Sequence, residues 1–200
     1  MVSELRSQVL QLNYDDGVSL REHKQELTNR LDLLLQAVRR ITEFGFPLDL
    51  NLARTDIRSL LYEVLMRFQS ELIERAISLD LNLSPEVSYA VVDRLKLREG
   101  LSELIRNALS ALPERGGSIG MRTNLSDDGS AFLIEIADDG KGIEQPLVEK
   151  VFSSSNTLLD NNIGVGLTLT KAIVEQHGGK LIIEGEPGKG TYVRIQIPFQ

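Results

Sequence analysis

The sequence predicts an α+β fold: a two-layer sandwich in which helices cover one face of a mixed sheet, preceded by a helical hairpin. Three observations carry this expectation. Leucine-rich seams at helical spacing fill the first 48 residues and recur later. Short runs of alternating apolar residues, joined by turn signals, point to hairpins in the second part. No strand leads through a Gly-x-Gly-x-x-Gly turn into a helix, which disfavours a doubly wound parallel sheet.

The first element is a short seam of Leu5, Val9 and Leu12, broken by Asn13-Tyr14-Asp15-Asp16-Gly17. A longer seam follows at Leu20, Leu27, Leu31, Leu34, Val38 and Ile41, the spacing of a coiled coil or bundle. Ser19 and Glu22 form a capping box at its start, and Gly45 and Pro47 end it. Residues 1–48 therefore read as a helical segment with one short arm, and residues 49–200 as a separate domain.

In that domain Ile57, Leu60, Leu61, Val64, Leu65, Phe68 and Leu72 predict one amphipathic helix, and Leu79, Leu81 and Leu83 a strand. Val91-Val92 leads to Asp93, a good N-cap, and a helix with Leu97, Leu101, Leu104, Ala108 and Leu112 on one face. Strands are expected at Ser118 to Leu125 and Ala131 to Ala137, joined through Asp127-Asp128-Gly129. A helix near Leu147 to Phe152, a polar loop, a helix ending at His177-Gly178-Gly179, and strands at Leu181 to Ile183 and Tyr192 to Ile197 complete the order. The sequence shows no internal repeat.

Composition narrows the function. The 200 residues are 42% apolar and 26% charged, as in a globular chain, with no apolar run of the ~20 residues that crosses a bilayer. A cytoplasmic compartment is the expectation. Zero cysteines exclude disulfides and thiolate metal sites, and two histidines leave little for a His-based one. The net charge of -7 argues against a nucleic-acid surface, although glycine-loop amides at a helix N-terminus can still take phosphates.

Four stretches could do chemistry. Glu103 and Asn107 lie four apart on one helix edge: Asn107 can offer an oxygen to a hard cation, and Glu103 can polarise a hydroxyl, a water or a histidine. Read alone, the pair is equally a solvated helix face. Asp138-Asp139-Gly140-Lys141-Gly142-Ile143 puts a carboxylate at a strand end, able to accept from an exocyclic amine, with glycines that would let a flat ring approach. Its alternative is a surface turn. Gly164-Val165-Gly166-Leu167 opens a helix whose free amides suit phosphate oxygens. Gly188-Lys189-Gly190-Thr191 taken singly is an ordinary hairpin turn.

The order and spacing of these four pieces are more specific than any one. Together they resemble the asparagine-containing box and the three glycine boxes of the GHKL ATPases, the superfamily of DNA gyrase, heat-shock chaperones, mismatch-repair proteins and sensor histidine kinases. Phe152, the stretch Lys171 to Gly179 and the ending Ile195-Gln196-Ile197-Pro198 look most like a histidine kinase. The resemblance spans roughly Asp49 to Gln200.

That resemblance implies a Bergerat-type site for ATP and Mg2+. Asn107 would hold the metal, Asp138 the adenine amine, and Gly140 and Gly142, with Ile143, would lie under the base. Residues 153–163 would form a lid, Gly164, Val165, Gly166 and Leu167 would meet the phosphates, and Thr191 would lie near the adenine. Glu103 stands where many such kinases carry Asn and others a Glu base. Thr168 replaces a frequent glycine, and the lid lacks Lys and Arg.

The helical segment resembles part of a dimerisation and histidine-phosphotransfer hairpin, which implies a homodimer through residues 19–44. Its first arm carries no histidine. His23 could be the phosphoacceptor, but Lys24-Gln25-Glu26 lack the usual acidic neighbour and downstream proline. Alternatively Gln25 occupies the acceptor position of a His-box-like stretch. His23 also reads as a solvated helix residue, and His177 as a residue that complements a helix C-terminus.

The expected function is the ATP-binding catalytic core of a two-component sensor histidine kinase. Such a core passes the γ-phosphoryl group to a histidine and works with a response regulator protein, either as a cytoplasmic protein or as the cytoplasmic part of a membrane-tethered one. An anti-sigma-type serine kinase and a non-catalytic ATP-binding scaffold are the alternatives.

Overall fold

The computed structural model of the protein describes residues 49–143 and 163–199. These belong to the second of two units into which the chain divides, Leu48–Gln200. The helical segment of residues 1–48, with His23, and the expected helix near residues 147–152 lie outside the described residues, as does the lid up to residue 162.

The elements run β1 (Ala53–Asp56), α1 (Ile57–Met66), α2 (Gln69–Glu74), β2 (Ser78–Leu83), β3 (Tyr89–Val92), α3 (Arg94–Ala111), β4 (Ser118–Leu125), β5 (Ala131–Asp138), α4 (Ile163–Gln176), β6 (Lys180–Glu186) and β7 (Gly190–Pro198). Five strands form one sheet in the order β2-β4-β5-β7-β6. β2 pairs with β4 in parallel and every other pairing is antiparallel, so the sheet is mixed, as expected.

Alternation sorts the two faces of this sheet. Ile119 and Met121 of β4, Phe132, Ile134 and Ile136 of β5, and Ile195 and Ile197 of β7 are buried in the core shared with α1, α3 and α4. The other face is polar: the Glu135 carboxylate accepts from the Tyr192 hydroxyl, from Arg194 Nε at 3.0 Å and from Asn124 Nδ2 at 3.2 Å. Helices therefore cover one side only, which leaves the α3 and α4 edges to build a site.

α3 is the central helix. Asp93 caps it by accepting from the Lys96 amide at 3.0 Å, and Leu97, Leu101, Leu104 and Ala108 all point into the core. At its other end Arg75 Nη2 donates to the carbonyls of Leu109 (2.8 Å) and Pro113 (2.9 Å), supplying the positive charge that the last turn itself lacks.

Two expectations are corrected. The single helix from Ile57 to Leu72 is two, because Arg67 and Phe68 close tighter turns onto Val64 and Leu65. The apolar spacing runs unbroken through that step, so periodicity could not show it. An additional ribbon pairs β1 with β3. The residues of β1, Ala53-Arg54-Thr55-Asp56, have no apolar alternation and are extended through their partner.

Candidate functional site

One face of α3 organises the site. Glu103, Asn107 and Ala111 follow one another at four-residue steps, so they stack along one side of the helix over roughly 12 Å. One end of this row meets a glycine of α4 and the other a glycine-rich loop.

At one end Glu103 is 3% exposed and pairs with Arg106. A Cβ added to Gly166 would lie 2.4 Å from Glu103 Oε2. The carboxylate is thus wedged between a guanidinium and the first turns of α4. It is not a solvated helix-face residue. The sequence reading missed Arg106, which the three-residue helical spacing from Glu103 would have revealed.

At the other end the loop after β5 docks on α3. Gly140 is packed so closely on Ala111 that a Cβ would approach its carbonyl to 2.6 Å, and the Lys141 amide donates to that carbonyl at 3.0 Å. Gly142 has φ +71° and a Cβ there would meet the Glu186 carbonyl at 2.1 Å. The space these glycines provide is taken by α3 and by the β6–β7 hairpin. Their smallness serves to seat the loop. Ile143 closes the same junction against Gly185.

Asp138 ends β5 with its carboxyl turned into this loop. It accepts from the Gly140 amide at 3.0 Å and from the amide and hydroxyl of Thr191, its partner in the β5–β7 register. Burial pushes the Asp138 carboxyl above the usual aspartate range, against the pull of those donors. The neighbouring Asp139 has the opposite environment: the Ser118 amide (2.7 Å) and hydroxyl (2.8 Å) hold its carboxyl low and tie the loop to the start of β4. The two aspartates thus sit in opposite environments, Asp139 tied to the start of β4 and Asp138 to the loop and β7. The turn at Gly188 to Thr191 is also more than a hairpin, because Gly190, at φ +90°, lies against the Asp138 carbonyl.

Between the two ends lies Asn107. Its Nδ2 is buried without a hydrogen-bond partner, an arrangement that costs free energy until something fills it. Either end of an amide can occupy that position, so the group can donate to a phosphate oxygen or present its own oxygen to a cation. Among the described residues no cluster of three His, Cys, Asp or Glu could hold a metal ion. The described residues thus offer a cation the Asn107 amide oxygen and not a set of three carboxylate or imidazole ligands. Gly164, Val165 and Gly166 lie in the first turn of α4, where amides lack intrahelical acceptors. Leu167 is buried in the core, so its side chain is not part of that surface.

His177 departs from its expectation. It is wholly buried, its Nε2 accepts from the Asp93 amide at 2.9 Å, and its Nδ1 lies 2.7 Å from the Ile173 carbonyl. One tautomer satisfies both contacts: Nδ1 carries the proton and Nε2 accepts. The ring bridges the last turn of its own helix and the N-terminus of α3.

A half-buried carboxylate beside a glycine-rich loop, an asparagine one turn before that loop with its Nδ2 unpartnered, and helix amides to the other side lie along one side of α3. Residues 92–200 match the family described as histidine kinase-, DNA gyrase B-, and HSP90-like ATPases. The chain belongs to this family, as its boxes suggested. It is 28% identical over 125 residues to sensor protein FixL of Bradyrhizobium diazoefficiens, covering 62% of this chain and 25% of that protein. It is 29% identical over 168 residues to C4-dicarboxylate transport sensor protein DctB of Rhizobium meliloti, covering 84% of this chain and 26% of the relative. The chain thus spans about a quarter of the length of these two relatives. Among solved structures, histidine kinase ThkA in complex with response regulator protein TrrA shares the fold, with a TM-score of 0.76 at 23% identity, covering all of this chain and 57% of that one. No helix among the described residues is long and apolar enough to cross a membrane.

Proposed function

We propose that the protein is the catalytic part of a two-component sensor kinase that transfers the γ-phosphoryl group of ATP to a histidine. The observation that carries this is the Asp138 carboxyl, half-buried at the end of β5, held by Gly140 and Thr191 and left with capacity to accept one more hydrogen bond. An adenine amine is a donor of the right kind. The row of Glu103, Asn107 and Ala111 has the length of an extended nucleotide, with the base toward Ala111 and the phosphates toward α4.

In this reading Asn107 holds Mg2+ by its amide oxygen, and the metal supplies charge neutralisation at the phosphates. The first-turn amides of α4 bind phosphate oxygens. Glu103, oriented by Arg106, takes the acceptor's proton or orients the acceptor. The protein works in the cytoplasm as a homodimer through residues 19–44 and passes its phosphoryl group on to a response regulator. The sensor kinases among its relatives favour this reading over a serine kinase or a scaffold.

Calorimetry tests the adenine contact. Asp138→Asn is expected to weaken Mg-ATP binding about ten- to a hundredfold, since a lost charge-assisted hydrogen bond is worth roughly 1.5–3 kcal/mol. Equal binding by both proteins would overturn it. Acid-labile, base-stable label on a supplied histidine domain is expected from ATP; acid-stable label would point to the serine-kinase chemistry instead.

A further inference from the structure

α3 and α4 run antiparallel and touch at three matched levels. At the first, the Asp93 amide donates to His177. Seven residues along α3 and seven back along α4, the Thr170 hydroxyl lies 3.2 Å from the Gly100 carbonyl and 2.8 Å from that of Gly166, and a Cβ on Gly100 would touch Thr170 Cγ2 at 3.4 Å. One turn further, Gly166 abuts Glu103. All of Gly100, Glu103, Thr170 and His177 are buried. The axial register of the helices is therefore set at several points along their contact.

We propose that His177 is a positioning residue for nucleotide phosphates, acting through Asp93 and α4 from the end of the helix far from the ligand. The inference rests on the ATP reading given above. His177 stands eleven residues from Gly166, about 16 Å along α4. A hydrogen bond is lost within a few tenths of an ångström beyond ~3.2 Å, so a fractional slip of α4 is enough to take its first-turn amides away from phosphate oxygens. At its own level the His177 contact has no local replacement, because the Asp93 amide precedes α3 and has no partner inside that helix. The Asp93 carboxylate is itself committed, to the amides of Lys96 at 3.0 Å and Asn51 at 2.9 Å. The adenine end is held by other contacts, from Ala111 and Thr191. Loss of the His177 contact thus affects phosphates and spares the base.

The test compares Mg-ADP and adenosine binding to the full chain by calorimetry and NMR titration. His177→Phe retains a ring but has no acceptor, and His177→Gln retains an acceptor at similar reach. The expected result is a loss of about tenfold in ADP affinity for the Phe variant, with adenosine affinity within about twofold of the parent, and recovery in the Gln variant. Thr170→Val, which keeps its shape and loses the hydroxyl, provides the same ADP-selective loss should His177→Phe fail to fold. Equal loss for both ligands, or no loss for either in a folded variant, would overturn the positioning role. A Phe loss that Gln does not recover would exclude the hydrogen bond as its cause. Failure of the parent chain to bind either ligand would instead overturn the ATP reading, and the inference with it.

Discussion

Thr191 stands opposite Asp138 in the β5–β7 pairing and meets its carboxyl with both amide and hydroxyl. Directly opposed residues on antiparallel strands share a face, so the sheet register itself delivers these donors. Burial raises the carboxyl and Thr191 opposes the rise. Nucleotide affinity is therefore expected to fall on acidification at a pH above the ordinary aspartate value of ~3.9. Thr191→Val is expected to move that midpoint higher, measured as Kd against pH. In the empty domain the sign reverses: the contribution of Asp138 to stability is present below ~3.9 and is lost as pH rises through its raised folded value. Asp138→Asn is expected to abolish that component in urea denaturation across the same range.

Glu103 and Asn107 separate catalysis from binding. Glu103→Gln keeps an oxygen for Arg106 and room for Gly166, so nucleotide affinity is expected to hold while phosphoryl transfer to a supplied acceptor domain falls by ~10²–10⁴-fold. Transfer at the parent rate would show that Glu103 only joins α3 to α4. Asn107→Ala is expected to lose the part of ADP affinity that depends on magnesium, read by titrations with and without the metal.

Gly188 and Gly190 have similar backbone angles, φ +77° and +90°, and very different surroundings. A Cβ at Gly188 meets nothing within 4 Å, whereas one at Gly190 would stand 1.9 Å from the Asp138 carbonyl. Gly188→Ala is expected to cost about 1–2 kcal/mol from backbone conformation alone. Gly190→Ala is expected to cost more than ~3 kcal/mol, because two strands must part. Urea denaturation of the two variants gives the comparison.

The apolar stripe of Leu20, Leu27, Leu31, Leu34, Val38 and Ile41 in the sequence is the basis for the proposed dimer. A dimer by light scattering, converted to monomer in Leu31→Asp, is the expected result. A monomeric parent chain would remove the stripe's proposed role.

The sheet strands were legible because inward positions alternate with polar ones, and β4 coincides with the expected Ser118 to Leu125. The glycine boxes were legible as motifs, but the packing of their glycines was not. That Gly140 seats on Ala111 and Gly166 on Glu103 depends on contacts between elements far apart in sequence, which no spacing records. His177 was legible only in part for the same reason. A histidine at a helix end suggests a contact with the last carbonyls, which Ile173 supplies, while its second partner lies 84 residues away in the cap of α3.

The family match begins at Val92, whereas the folded unit begins well before it. β2 lies on that earlier side and pairs in parallel with β4. Ile57, Leu60, Leu61 and Val64 of α1, wholly buried in the core, lie there too. A polypeptide trimmed to the family match would carry every glycine box yet present β4 as a bare strand edge and uncover the apolar side of α3. Such a piece is expected to aggregate through that edge. Expression boundaries for this protein are therefore set by the parallel strand pair, and Asp49–Asn51 should be retained as well, since their backbone meets Lys96 and Asp93.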